Sequence, residues 1–184
     1  PQPIANNAVA LAEGPDGPTA YSFLGLGDGK THEDVTTAAY ACALDLRQCR
    51  EIQPLPVEQG RLASIAATVN NKVYIFGGYT VGADHSEVST PDVIRFDPMN
   101  ESYEALAPMP KPVDDSVALV YQNRFIYLVS GWHNDSNVNT TQVYDTQTNT
   151  WFQATPYPGT AVFGHAGGLV HGQILIACLL YTSD

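Results

Sequence analysis

Positive charge is what this 184-residue chain has least of: eight lysines and arginines stand against nineteen aspartates and glutamates, for a formal charge of -11. A surface of that sign repels phosphate backbones and anionic headgroups, so nucleic acid is excluded as an expected partner. Long apolar runs are missing too. The longest, residues 73–76 and 125–129 among them, fall far short of the roughly 20 residues a helix needs to cross a bilayer, so no membrane insertion is expected. Sustained helical periodicity is also absent. Thirteen prolines and fifteen glycines break the chain at short intervals, which favours many short strands over long helices. With 44% hydrophobic and 15% charged residues, the balance is that of a globular protein able to bury a core.

What the chain does contain is a repeat. A Pro-x-Pro mark occurs four times, at Pro1/Pro3, Pro54/Pro56, Pro108/Pro110 and Pro156/Pro158, at spacings of 53, 54 and 48 residues. Between marks the same features recur in the same order. A small-residue apolar strand comes first, around Ala8–Leu11, Ile65–Ala67 and Val117–Leu119. A tight turn follows at Gly14-Pro15-Asp16-Gly17, Asn70-Asn71 or Gln122-Asn123. Next comes a bulky strand ending in glycine, at Phe23–Gly27, Tyr74–Gly78 and Tyr127–Gly131, and then a polar loop. A strand closing in an apolar residue plus aspartate completes the order: Leu44-Asp45, Phe96-Asp97 and Tyr144-Asp145. An aromatic follows in two units, Tyr103 and Trp151, whereas Arg50 or Glu51 is expected at that place in the first. A fixed period near 50 residues points to radial or solenoid repetition rather than to an ordinary β-sandwich.

This order resembles the kelch repeat. The resemblance spans residues 4 to 177 and implies an all-β fold: a partial kelch β-propeller with three complete four-stranded blades plus the start of a fourth. The expected units are about 4–56, 57–110, 111–158 and 159–177. Covered on both faces by its neighbours, a middle blade strand should read as an apolar run, and the innermost strand, near the axis, should be rich in alanine and glycine. Because propellers close with about 4 to 8 blades, further blades of the same chain are expected to complete the ring. Residues 178–184 break the pattern and resemble the translation of a sequencing-library adapter; they are set apart as not native.

Three cysteines are present. Cys42 and Cys49 flank a turn in the first unit, where opposed hairpin positions suit a disulfide; such a bridge would fit a periplasmic or secreted protein. The polar residues expected at the loop face are Asn7, Arg61, Tyr79, Trp132 and His133 for ligand binding, with Asp114, Asp115 and His165 as catalytic candidates. His32, His85 and His133 each sit in a different long loop at different offsets from the preceding glycine, so solvated loop histidines are expected, with no metal and no cofactor. Two function classes remain. One is a recognition module binding a protein or carbohydrate ligand at its loop face. The other is an enzyme: the unit order looks like that of bacterial kelch proteins similar to N-acetylneuraminate epimerase, a sialic acid mutarotase. That resemblance implies an acid–base pair at the channel mouth and an arginine holding the sugar carboxylate. A galactose-oxidase-type copper site would need a cysteine–tyrosine crosslink beside histidine ligands, and Cys42 and Cys49 are placed away from the loop face.

Overall fold

A computed structural model describes residues 2–45 and 47–178; residues 179–184, most of the segment set apart above, lie outside them. Among the described residues every regular element is a strand except one 3-10 turn, His32–Asp34. The first sheet is a four-stranded antiparallel meander, β1 (Ala8–Gly14), β2 (Gly17–Phe23), β3 (Ala39–Ala43) and β4 (Gln48–Ile52). The second starts with β5 (Ile65–Val69) and β6 (Lys72–Phe76), throws out a small ribbon of β7 (Tyr79–Val81) and β8 (Glu87–Ser89), and ends with β9 (Val93–Asp97) and β10 (Ser102–Ala105). The third repeats this design: β11 (Val117–Tyr121), β12 (Phe125–Val129), the ribbon β13 (Trp132–His133) and β14 (Ser136–Asn137), then β15 (Thr141–Asp145) and β16 (Thr150–Gln153). A hairpin of β17 (Ala166–Val170) and β18 (Gln173–Ala177) opens a fourth. Each sheet is a propeller blade. Their first strands touch in sequence, β1 on β5, β5 on β11 and β11 on β17, tracing an arc about a common axis. Two facing layers of a sandwich would not place four first strands side by side.

Burial follows position in the blade. β6 and β15 are buried almost throughout, whereas β10 and β16, at the outer edge, are largely exposed. One core lies between the first two blades, where Tyr21, Phe23, Val73, Ile75 and Phe96 interlock; the next, between blades two and three, holds Val69, Phe76, Ile126, Leu128 and Tyr144. Each fully buried side chain of this size contributes about 1.5–3 kcal/mol. A single blade hides only one of its two apolar faces, so the stack, rather than the sheet, is the stable unit.

Inter-blade hydrogen bonds clamp the inner strands at both ends. At one end the strand-1 to strand-2 turns are joined: the Asn71 side chain pairs with both main-chain groups of Glu13, and Asn70 pairs with Asn123. At the other, each blade enters its first strand through a left-handed residue, namely Asn6, Ala63, Asp115 and Gly164. Their amides form a chain around the axis: Ala63 donates to Asn6, Asp115 to Ala63 and Gly164 to Asp115.

The repeat in three dimensions corrects one part of the sequence reading. Strand register makes Cys42, Phe96 and Tyr144 equivalent, since each lies three residues after the partner of the last residue of its second strand. Their partners across the hairpin are Cys49, Tyr103 and Trp151. The missing aromatic of the first unit is therefore replaced by Cys49, not by Arg50 or Glu51, and Leu44-Asp45 falls in the turn instead of closing the strand. Cys42 and Cys49 are bonded to each other, so a covalent link stands where the other blades stack aromatic rings. A hollow of about 100 Å³ beside Cys49 and Tyr21 marks the volume the smaller pair leaves.

Candidate functional site at the loop face

The loops between second and third strands and the links between blades emerge on one face, held together by single-residue antiparallel bridges, Leu62 with Tyr79 and Asp114 with Trp132. Local backbone makes this possible. Each second strand ends in two successive left-handed residues, Leu24-Gly25, Gly77-Gly78 and Ser130-Gly131. The second of each pair is glycine for steric reasons as well: a Cβ on Gly78 would lie 2.6 Å from the Leu62 carbonyl oxygen, and one on Gly131 2.7 Å from that of Asp114.

Inside the arc of first strands an axial hollow of about 440 Å³ is lined by Asn6, Asn7, Ser64, Asp115, Ser116 and His165 among others. Asn7 donates to the Ser22 hydroxyl. His165 is half-buried with Nε2 2.9 Å from the Val129 carbonyl oxygen and Nδ1 buried without a partner among the described residues; burial lowers its pKa. Burial raises that of Asp115, with nearby Glu87 adding to the effect. The structure thus brings Asn7, Asp115 and His165 together at the axis.

Arg61 and Asp114 go elsewhere. Arg61, 6% exposed, forms an ion pair with Asp92 at 2.6 Å and lines a separate hollow of about 510 Å³ with Pro56, Glu58, Thr80 and Pro108. The reason is its offset: it lies two residues before the left-handed residue Ala63, so its side chain leaves the link toward the second blade's loop. Desolvation lowers its pKa, and Asp92 opposes that shift. Asp114, 1% exposed, is buried between the ribbons of blades two and three. Its Oδ2 accepts a 2.6 Å hydrogen bond from the Ser89 hydroxyl, which in turn accepts from the Asn134 amide; the Asn134 side chain closes the loop by accepting from the Ser89 amide. Desolvation raises the Asp114 pKa to about 6, against the ordinary 3.8. Tyr79 nearby is pushed up to about 12, first by burial and then by Glu87, Asp115 and Asp114.

The aromatic candidate Trp132 is anchored by donating from Nε1 to the Asn134 carbonyl oxygen at 3.0 Å, and its ring packs on Phe163 at 5.5 Å. His133 holds the Pro112 carbonyl oxygen at 2.7 Å through Nδ1. Phe163 is half-exposed and joins Trp132 in an aromatic pair at the rim; the sequence reading overlooked it, although it directly precedes the left-handed Gly164. The face is also acidic. Its loops and links carry Asp28, Glu33 and Asp34; Glu58; Asp84, Glu87 and Asp92; Asp114 and Asp115; and Asp135, ten carboxylates against the three cations Lys30, Arg61 and Lys111. Four other cations, Arg50, Lys72, Arg95 and Arg124, pair with acids on the blade sheets and their turns.

Comparison with known proteins accords with this architecture. The family described as Kelch motif matches residues 66–110. Kelch-like protein 15 from mouse is 32% identical over 110 residues, covering 60% of this chain and 18% of that protein. Human Kelch-like protein 33 is 25% identical over 142 residues, 76% of this chain and 26% of its own length. The chain thus spans about a fifth to a quarter of these relatives. The solved structure of YjhT superposes on 95% of this chain and 59% of its own with a TM-score of 0.76 at 16% identity, a likeness of fold alone. With three blades built on one strand order, each second strand ending in a left-handed pair closed by glycine, and the motif matched across the second blade, this chain carries a kelch motif within a kelch-type β-propeller fold.

Proposed function

We propose that the chain is a recognition module that binds a protein partner through its acidic loop face, and that the partner presents a segment rich in lysine and arginine. The observation that carries this reading is the charge segregation: apart from the buried Asp114, nine carboxylates stand on the loop face against three cations, while four other cations are paired with acids on the blade sheets and their turns. Complementary charge of this kind raises association rates and selects partners. The rim pair Trp132 and Phe163 supplies the apolar anchor that such interfaces use. The Cys42–Cys49 bond supports an oxidising location, periplasmic or secreted, for this module.

A carbohydrate ligand or sialic acid mutarotation is the competing reading, and the division of its candidate residues weighs against it. An arginine that holds a sugar carboxylate should share a cavity with the acid–base pair, yet Arg61 lines one hollow while Asp115 and His165 line another. Fluorescence anisotropy with a labelled Lys/Arg-rich peptide and its Glu-rich counterpart, run beside saturation-transfer NMR with sialic acid, separates the two. Binding of the basic peptide alone, weakened by salt and by the double change Asp84→Asn and Asp135→Asn, is the expected result. Saturation transfer to sialic acid with no peptide binding overturns the proposal.

A further inference from the structure

We propose that His32 and His85 form a two-histidine site for a borderline divalent cation of the zinc class, bridging the loops of the first two blades. In the sequence these residues lie 53 positions apart, at different offsets from the preceding glycine that argue against a symmetric cluster. In the structure their rings meet edge to face, with centroids 6.4 Å apart and planes at 81°. A zinc ion bound to an imidazole nitrogen lies about 2.0–2.1 Å from that atom, which puts two bridged rings about 5–6 Å apart, centre to centre. The observed separation is within a small side-chain rotation of that arrangement. The His85 side chain is exposed and that of His32 half-buried, and among the described residues neither ring makes a hydrogen bond, so only their mutual ring contact has to adjust.

The backbone holds both rings in place from well-built turns. His32 begins the 3-10 turn capped by Thr31, whose amide and hydroxyl both donate to Asp34. His85 sits left-handed at the tip of the ribbon, its amide donating to the Gly82 carbonyl oxygen, and Ser86 donates twice to Asp84. Asp34 interacts electrostatically with His32 and Asp84 with His85, so each imidazole has a carboxylate neighbour that favours a cation. Among the described residues no group of three or more histidine, cysteine or acidic side chains is placed to hold a metal. The ion would therefore keep open coordination positions facing a hollow of about 500 Å³ lined by His32, Glu58, Gln59 and Val81. Imidazole pairs of this kind suit zinc, nickel and copper over calcium and magnesium.

Isothermal titration of the full chain with Zn2+ at pH 7.5 tests the site, with His171→Ala as a control for the exposed histidine on the last hairpin. One equivalent of zinc is expected to bind the wild type and His171→Ala alike, while His32→Ala and His85→Ala each weaken binding at least about tenfold. The double variant is expected to bind no more tightly than either single one, because one imidazole does not chelate. His85 is exposed and His32 half-buried with no ring hydrogen bond among the described residues, so circular dichroism of the variants should match the wild type. Equal zinc affinity in the wild type and the double variant, or loss in only one of the two single variants, overturns the proposal.

Discussion

Asp114 should cost the fold stability at neutral pH, and replacing it with asparagine should recover that cost. Its carboxyl is 1% exposed and, among the described residues, accepts a single side-chain hydrogen bond, from Ser89. Burial holds its pKa at about 6, above the ordinary 3.8. A carboxyl with a raised value keeps its proton longer in the folded chain than in the unfolded one. Ionisation therefore destabilises the fold: the cost is absent below about pH 4, grows between about 4 and 6, and is complete above that. The difference between 3.8 and about 6 corresponds to about 3 kcal/mol at pH 7.5. Asp114→Asn keeps an acceptor for Ser89 and removes the charge, but it brings an amide that needs a partner of its own, so a gain of about 1–3 kcal/mol is expected. Urea unfolding followed by the fluorescence of Trp132 and Trp151, at pH 4 and at pH 7.5, measures it. The variant should be more stable than the wild type at pH 7.5, and the difference should shrink towards zero at pH 4. A variant no more stable at pH 7.5, or an advantage equal at both pH values, refutes the account of a desolvated carboxylate. A buried group that weakens its own fold is the kind of residue a site retains for function.

The equivalence of the Cys42–Cys49 pair with Phe96–Tyr103 predicts interchangeability. The double change of both cysteines to serine should lower stability by about 2.5 kcal/mol, the entropy of closing so short a loop, whereas Cys42→Phe with Cys49→Tyr should recover most of the loss by filling the adjacent hollow; equal urea midpoints for the two double variants would count against the equivalence. At the second left-handed glycine, Gly78→Ala forces φ of 86° on a residue with a Cβ and drives that atom against Ser64 and the Leu62 carbonyl oxygen, so a loss of about 2–4 kcal/mol is expected. Gly168→Ala, where a Cβ meets nothing within 4 Å, is the control, and equal melting temperatures for the two variants would show that this reading of the turn is mistaken.

The sequence by itself determined the repeat, the strand class and the blade order, because those depend on short-range chemistry: alternation, turn residues and a period near 50. It also marked Asn7, Asp115 and His165 for the axis, since residues just before a first strand must sit where the blades converge. Only the tertiary structure separated Arg61 and Asp114 from that group, for a shift of one or two residues along a link turns a side chain from the axis into the gap between neighbouring loops. It alone showed that Cys49 stands in the aromatic position, because register across a hairpin is set by pairing and not by distance from the nearest aspartate. The meeting of His32 and His85 is likewise a property of two loops on adjacent blades, and the spacing of residues along one chain carries no record of how neighbouring loops lean together.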